Sequence, residues 1–530
     1  MFLKGINDSQ KQAVMTTEGP MLIIAGPGTG KTLTIIHRLA YLINQGVKPE
    51  NIFAITFTNR AAKEIKERAG TLLGRNSVGV FIGTFHLLGL RILKDMLTGN
   101  FVIYNRDKQV NLLKPLMQGS ITKAQQAADR ISRIKNFLGD MDDEIKEVYE
   151  KYQSELMKNS ALDFDDLILK PIEILSSDVA GKYMDSFNYI MVDEYQDINP
   201  AQYKLLRLLA HNKSTLCVIG DSDQAIYAFR GADVKNFLNF EKDFEDSKRI
   251  TLTENYRSTG VILNASNAVI KNNLKRIDKE LKPQGEKGQP INIISVPNEK
   301  TEGEIIVKEI EKRIGGTSHY QLMQPGISKN PKGCSYSFSD FAIIFRTNAQ
   351  AKAIEDAFST SGIPYQIIGK SGNLQRKEIE DTISYLKAVI NSNGSTNYYS
   401  PSVLDEASLL TPADFFDSRA DAVTLMTLHM AKGLEFRVVF IAGVEDGLIP
   451  YTMKKDSTDI EEERRLFYVG MTRAKDELFL IHARKRFIYG QRFIQPPSPF
   501  IKEIPEEFTE YRFIPDKTKR FKKDNQAGLF

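Results

Sequence analysis

The sequence has 530 residues, with 71 Lys and Arg against 67 Asp and Glu, a formal net charge of +4, two cysteines and no tryptophan. At roughly 100–200 residues per domain, this length excludes a small single-core module and predicts about three or four packing units. Cys217 and Cys334 stand alone, which excludes a disulfide framework and a structural zinc site. No apolar run approaches the ~18 residues of a membrane span, and the start MFLKGINDSQ turns polar too soon for a signal peptide, so a cytoplasmic protein with no membrane partner is expected. The near-neutral charge neither demands nor excludes a nucleic acid, because binding depends on where positive charge clusters.

In chain order, MLIIA (21–25), IFAITF (52–57) and VGVFIGT (78–84) are short apolar runs, each followed by helical spacing. They predict βαβ units and a parallel sheet. A helix-rich stretch covers 87–182. Strand patterns return at YIMVDE (189–194), LCVIGD (216–221) and RITLTE (249–254), so 1–86 and 183–278 read as one α/β domain interrupted by a helical insertion. After the Gly/Pro-rich connector LKPQGEKGQP (281–290), the runs INIISV, FAIIFR, VTLMTL, RVVFIAGV and ELFLIHA predict a second α/β domain over 279–390 and 420–504. Segments 315–337 and 391–401 are loop-like. The last stretch, 505–530, loses hydrophobic periodicity, carries KTKRFKK and reads as a flexible basic tail.

The strongest local signal is AGPGTGKT, between the strand MLIIA and a helix expected to start at Lys31. Ala25, Gly26, Pro27, Gly28, Thr29 and Gly30 form a loop whose glycines let backbone N–H groups turn toward phosphate oxygens. Lys31 is placed to reach the β- and γ-phosphates of ATP and Thr32 to hold Mg²⁺. Ala25 stands where the strict GxxxxGK[ST] pattern has its first glycine, and the strand, loop and helix order compensates. At the end of YIMVDEYQD, Asp193 is the expected Mg²⁺ carboxylate and Glu194 the general base. Charge developing on the γ-phosphate needs cations, and Arg257 in TENYRS and Arg473 in YVGMTRAKDEL are the candidates.

With these motifs stand INDSQKQAV, AITFTNRAAKEI, GTFHLLGLRIL, LDFDDLI, VIGDSDQAIYAFRGAD, IIFRTNAQA, VTLMTLHMAKGLEFRVVFIAG and EEERRLF, in this order from Ile6 to Leu478. The set resembles the UvrD/Rep/PcrA group of superfamily I DNA helicases. The resemblance implies two RecA-like P-loop domains facing one ATP, closure on binding, and movement on single-stranded DNA, usually 3′ to 5′. By its motif positions Gln10 reads the adenine edge, Tyr256 stacks on adenine, Gln224 senses the γ-phosphate, Arg257 and Arg473 are arginine fingers, and Glu435 contacts ribose. Phe57, Asn59, Thr84, His86, Tyr227, Phe229, Arg230 and His429 occupy the family's DNA-contact positions, and Phe229 stands where relatives usually carry tryptophan. Only about thirty residues separate Asn391 from Val423. That leaves 391–419 as a short linker where larger members carry the 2B subdomain. The function implied is an ATP- and Mg²⁺-dependent helicase or translocase of DNA repair or replication, acting on single-stranded and tailed duplex DNA. The alternative is a single-strand-dependent ATPase that displaces proteins with little unwinding. The ending QAGLF resembles peptides that dock on the replication sliding clamp, through Gln526, Leu529 and Phe530.

Overall fold

The structure, a computed structural model, describes residues 3–97, 99–139, 141–177, 181–210, 214–315, 336–369, 409, 414, 416–452 and 458–516. Its strands in chain order are β1 (Met21–Ala25), β2 (Ile52–Thr56), β3 (Phe81–Thr84), β4 (Val102–Tyr104), β5 (Ala161–Asp163), β6 (Tyr189–Val192), β7 (Thr215–Gly220), β8 (Lys248–Leu252), β9 (Glu254–Asn255) and β10 (Lys282–Pro283). There follow β11 (Ile291–Asn298), β12 (Phe341–Phe345), β13 (Tyr365–Ile367), β14 (Val423–Thr427), β15 (Phe436–Ala442), β16 (Ala474–Ile488), β17 (Gln491–Phe493) and β18 (Thr509–Phe513). The chain divides into two compact units. One comprises 1–260, 270–286 and 368–416, the other 261–269, 287–367 and 417–530.

The first unit is built on a parallel sheet of order β3-β2-β6-β7-β1-β8. Period-two alternation sends successive side chains to opposite faces, and both faces are covered, as a parallel sheet requires. Leu22, Ile24, Phe53, Ile55, Ile190, Val192, Leu216 and Val218 face one core, whereas Met21, Ile23, Ile52, Ala54, Met191, Cys217 and Ile219 face the other. Because every strand runs the same way, the carboxyl ends of β1, β6 and β7 share one edge. In open α/β sheets that edge is where ligands bind.

The helical insertion is narrower than the sequence pattern suggests. Phe85, Leu88 and Ile92 of helix Phe85–Met96, and Ile168, Ile172 and Leu175 of helix Asp166–Leu175, belong to the core of the main sheet. What projects from it is a three-helix cluster, Arg106–Leu113, Ile121–Phe137 and Asp143–Lys158, with its own core of Val110, Leu113, Ile131, Tyr152 and Leu156. It is closed by the parallel pair β4 and β5. The LDFDDL motif anchors it. Buried Lys135 Nζ donates to Asp163 Oδ2 at 2.7 Å and to Asp166 Oδ1 at 2.8 Å, and the Tyr152 hydroxyl donates to Asp163 Oδ2 at 2.9 Å.

The second unit is a sheet of order β13-β14-β12-β15-β16-β11-β18, parallel throughout, with β17 antiparallel to β16. Its core joins Ile294, Val296, Phe341, Ile343, Phe345, Leu425, Phe440, Phe479 and Ile481. Among the described residues no helix is long and apolar enough to cross a membrane.

Several expected boundaries shift. The first domain does not stop at 278, because buried Lys279 pairs with Asp221 and Asp223, Leu281 packs over Gly26, and β10 pairs with β9. Residues 261–269, expected in the first domain, belong to the second unit, where Val261 N donates to Lys287 O at 2.8 Å. Within the linker 391–419, Leu409 packs with Leu90, Leu93 and Leu167 of the first unit. The expected tail 505–530 begins too early, since β18 pairs with β11 from Ile291↔Thr509 to Ser295↔Phe513. The sliding-clamp candidates Gln526, Leu529 and Phe530, Cys334, and most of the 315–337 loop and of the linker lie outside the described residues.

Helices Phe85–Met96 and Asp166–Leu175 touch at Gly89, where an added Cβ would stand 1.7 Å from Leu167 O. Gly89→Ala is expected to force these helices apart and destabilise the first unit by about 1–3 kcal/mol, read as a lower thermal midpoint; an unchanged midpoint would contradict this packing.

Candidate functional site

The edge formed by β1, β6 and β7 carries the phosphate loop. Gly28 and Gly30 adopt left-handed backbone conformations, with φ 68° and 83°, and Gly30 starts helix Lys31–Asn44 without a side-chain cap. The first N–H groups of that helix are thus presented to the loop, with the positive end of the helix dipole behind them. Neither glycine has room for a side chain. A Cβ on Gly28 would stand 2.7 Å from Asn255 Nδ2, and one on Gly30 would stand 2.5 Å from Gln10 Nε2.

Those two amides hold the loop in shape. Asn255 Nδ2 donates to Pro27 O at 2.7 Å, while its Oδ1 accepts from Arg257 N and Ser258 N, both at 3.0 Å. Gln10 Nε2 donates to Thr29 O at 2.9 Å, and its Oε1 accepts from Asn7 N in a capping box. The Thr29 hydroxyl closes the turn onto Gly26 O at 2.8 Å. Tyr256 N donates to Gly28 O, which leaves the Tyr256 ring more than half exposed beside Asn7, where Asn7 Nδ2 donates to its hydroxyl at 3.0 Å. This arrangement suits a flat ring lying on Tyr256 and a polyphosphate in the loop.

Lys31 Nζ lies 3.3 Å from Ala25 O and 4.0 Å from Glu194 Oε1. Burial draws its pKa below 10.5, against the pull of Glu194, Asp221 and Asp193, and with help from Arg257. A phosphate anion would reverse that penalty, so the ammonium is poised for one. Asp193 follows β6 with its N–H bonded to Ile55 O, and its Oδ1 accepts from Glu194 N at 2.9 Å. Glu194 itself adopts φ 51°, an uncommon left-handed conformation for a side chain of its size.

The structure therefore brings Gln10, the loop 25–32, Asp193, Glu194, Gln224, Tyr256 and Arg257 together in the first unit. Glu435, His429 and Arg473 belong to the second. There Arg473 is buried, its Nε donating to Val469 O at 2.9 Å and Nη1 to Leu434 O at 3.2 Å. Glu435 forms a 2.7 Å ion pair with Lys475.

A second group lies on the same sheet edge. The Phe57 and Tyr227 rings stack with centroids 4.8 Å apart, Tyr227 and Phe229 follow at 5.9 Å, and the Arg230 guanidinium lies 5.5 Å from both of the latter rings. Tyr227 is buried, while Phe229 is 61% exposed. Three other expected DNA contacts have structural work of their own. Thr84 Oγ1 caps helix Phe85–Met96 by accepting from Leu87 N, Asn59 Nδ2 donates to Leu409 O at 2.9 Å and Asp414 Oδ2 at 3.1 Å, and His86 packs on Phe164.

Asn255, Gln196, Asp221, Arg276 and Lys279 have structural parts that their motifs do not announce. Asn255, Gln196 and Asp221 lie within the motifs TENYRS, VDEYQD and VIGDSDQAIYAFRGAD, and their places at strand ends are the available signal. Arg276 and Lys279 follow no recognisable local pattern, because their partners Asp221 and Asp223 are more than fifty residues away.

The UvrD/REP helicase N-terminal domain matches residues 6–245, and the UvrD-like helicase C-terminal domain matches residues 250–399 and 401–485. The chain is also similar to proteins named ATP-dependent DNA helicase PcrA from Staphylococcus aureus strain Mu50 and Staphylococcus epidermidis strain RP62A. Identity is 34% over 655 aligned positions, spanning 96% of this chain and 87% of each relative. The aligned positions outnumber the 530 residues of the chain, so the relatives carry residues without counterpart here.

Burial lowers the His86 pKa from 6.5 to about 4, so its imidazole is neutral at pH 7. Since the folded pKa is the lower one, the unfolded chain takes up the proton first. This contribution to stability is expected in full above pH 6.5 and lost as pH falls toward 4. An NMR titration showing His86 protonating between pH 6 and 7 would contradict it.

Proposed function

We propose that this chain, which belongs to the UvrD/Rep helicase family, is an ATP- and Mg²⁺-dependent DNA helicase that moves 3′ to 5′ on single-stranded DNA in DNA repair or replication. The observation that carries the reading is the glycine cradle gripped by Gln10 and Asn255, with Lys31 at its mouth 4.0 Å from Glu194.

In this reading the N–H groups of the cradle and Lys31 bind the β- and γ-phosphates. Thr32 and Asp193 would hold Mg²⁺, which would supply positive charge to the phosphate oxygens. Glu194 accepts a proton from the attacking water, and Gln224 reports on the γ-phosphate from the next strand end. Arg257 supplies positive charge as the transition state develops, and Arg473 is the second such arginine by family position. Tyr256 lies under adenine. Gln10 has committed one Nε2 hydrogen to Thr29 O, leaving the second for the adenine edge. Glu435 is assigned to ribose by family position.

Single-stranded DNA is assigned to the Phe57, Tyr227 and Phe229 ladder with Arg230, together with Thr84, His86, Asn59 and His429. Aromatic faces accept any base, which suits movement along a strand of arbitrary sequence. The C-terminal family match is interrupted at Ser400, which supports placing the missing 2B subdomain there and reading the chain as a compact motor.

Lys31→Ala is expected to abolish DNA-stimulated ATP hydrolysis while leaving the fold intact, and an unwinding assay on 3′- and 5′-tailed duplexes should favour the 3′ tail. Normal turnover in the variant refutes the site, and a preference for the 5′ tail refutes the polarity. Phe229→Ala should weaken single-strand binding by about 1–3 kcal/mol, and Phe229→Trp should tighten it, both read by fluorescence anisotropy. Unchanged affinity in both removes Phe229 from the track.

A further inference from the structure

A chain of buried polar contacts runs between two residues of the hydrolytic site through groups that have no role above. Gln196 Nε2 donates to Glu194 Oε2 at 2.6 Å, and Gln196 Oε1 accepts from Asp221 N at 2.9 Å. Asp221 Oδ2 accepts from Gln224 Nε2 at 2.8 Å, and Asp221 Oδ1 accepts from Lys279 Nζ at 2.6 Å. Gln196, Asp221, Gln224 and Lys279 are all buried. Water has poor access to replace a broken link, so each contact constrains its neighbours.

The backbone is shaped to permit this contact. Gly220 ends β7 with an ordinary backbone conformation, yet a Cβ there would stand 2.3 Å from Gln196 Oε1. The glycine is needed for the close approach of the Gln196 amide. On the far side, Asp223 accepts two bonds from Arg276, Nε at 3.0 Å and Nη2 at 2.9 Å, and a further one from Lys279. The loop between Asp221 and Gln224 is thus held from both ends.

We propose that Gln196 is a positioning residue that couples Glu194 to Gln224 through Asp221, with Lys279 fixing Asp221 in register. This rests on the roles given above to Glu194 and Gln224. Its consequence is that the Glu194 carboxylate and the Gln224 amide cannot reorient independently of Asp221. Glu194, in its uncommon backbone conformation, takes its carboxylate orientation in part from the Gln196 amide.

The test is a double-mutant cycle on steady-state ATP turnover with and without a single-stranded oligonucleotide, using Gln196→Ala, Gln224→Ala and both together in the full chain. Gln196→Ala should lower the DNA-stimulated kcat about 10- to 100-fold, with KM for ATP and oligonucleotide affinity unchanged. The double variant should fall no further than the weaker single variant. Gly220→Ala, which keeps every hydrogen-bonding group and crowds Gln196, should reproduce the kcat loss and carries the test if Gln196→Ala fails to fold. Losses that multiply in the double variant, a rise in KM with kcat intact, or folded variants of Gln196 and Gly220 with kcat within about twofold of wild type overturn the proposal. Absence of DNA-stimulated turnover in the wild-type chain would instead defeat the helicase reading itself.

Discussion

The phosphate loop is confined between two side-chain amides, and much of the first unit exists to hold them there. Asn255 presses on Gly28 and Gln10 presses on Gly30, each near enough that a single added carbon would collide. A loop of three glycines is entropically costly to fix, and its unfolded alternatives are many. Here the cost is offset by bonds to the carbonyls of Pro27 and Thr29, which reach across from a helix at the start of the chain and a strand more than two hundred residues later. The loop is therefore held in one shape by the protein itself, so a ligand accepted there would not have to order it.

The same unit accepts several buried charges. Lys279 and Arg276 face Asp221 and Asp223, and Lys135 faces Asp163 and Asp166, all in the interior. Taking such groups from water is expensive, and apolar residues of equal volume would often serve stability as well. What ions and hydrogen bonds add is geometry, since each partner must sit at one distance and angle. At Lys135 that geometry fixes the helical insertion on the motor sheet. Burial and the neighbouring Asp163 raise the pKa of Asp165 to about 6, so the anchor carries a carboxyl that titrates near neutrality.

The placement of the candidate site was legible where it is local in sequence. AGPGTGKT, VDEYQD and the strands feeding them follow from apolar period and glycine spacing, and each strand appears within a few residues of its expected span. The ladder of Phe57, Tyr227 and Phe229 needed family motifs to be noticed, because aromatic residues beside strands usually fill cores, and buried Tyr227 does so in part. What escaped was distant pairing. Nothing around Lys279 announces that it closes on Asp221, and β18 was missed because an edge strand with Tyr511 and Phe513 both exposed lacks the buried alternation that marks a strand. Thr84 and Asn59 were legible as motif members but not as a helix cap and a tether to Leu409, which depend on what the folded backbone leaves unsatisfied.

The crossings of the chain between units after Gly260, Val269 and Glu286 have a practical meaning for dissection. A fragment ending at Gly260 would keep the whole glycine loop and the residues that grip it, yet lose Leu281 over Gly26, the β10 partner of β9, and both cations that neutralise Asp221 and Asp223. A fragment ending at Glu286 would retain these but carry the helical segment 261–269 without the unit it belongs to. The two halves are spliced rather than joined end to end, so this motor resists being cut into working pieces, and a rearrangement that exchanged one unit for a relative's would have to cut the chain in several places at once.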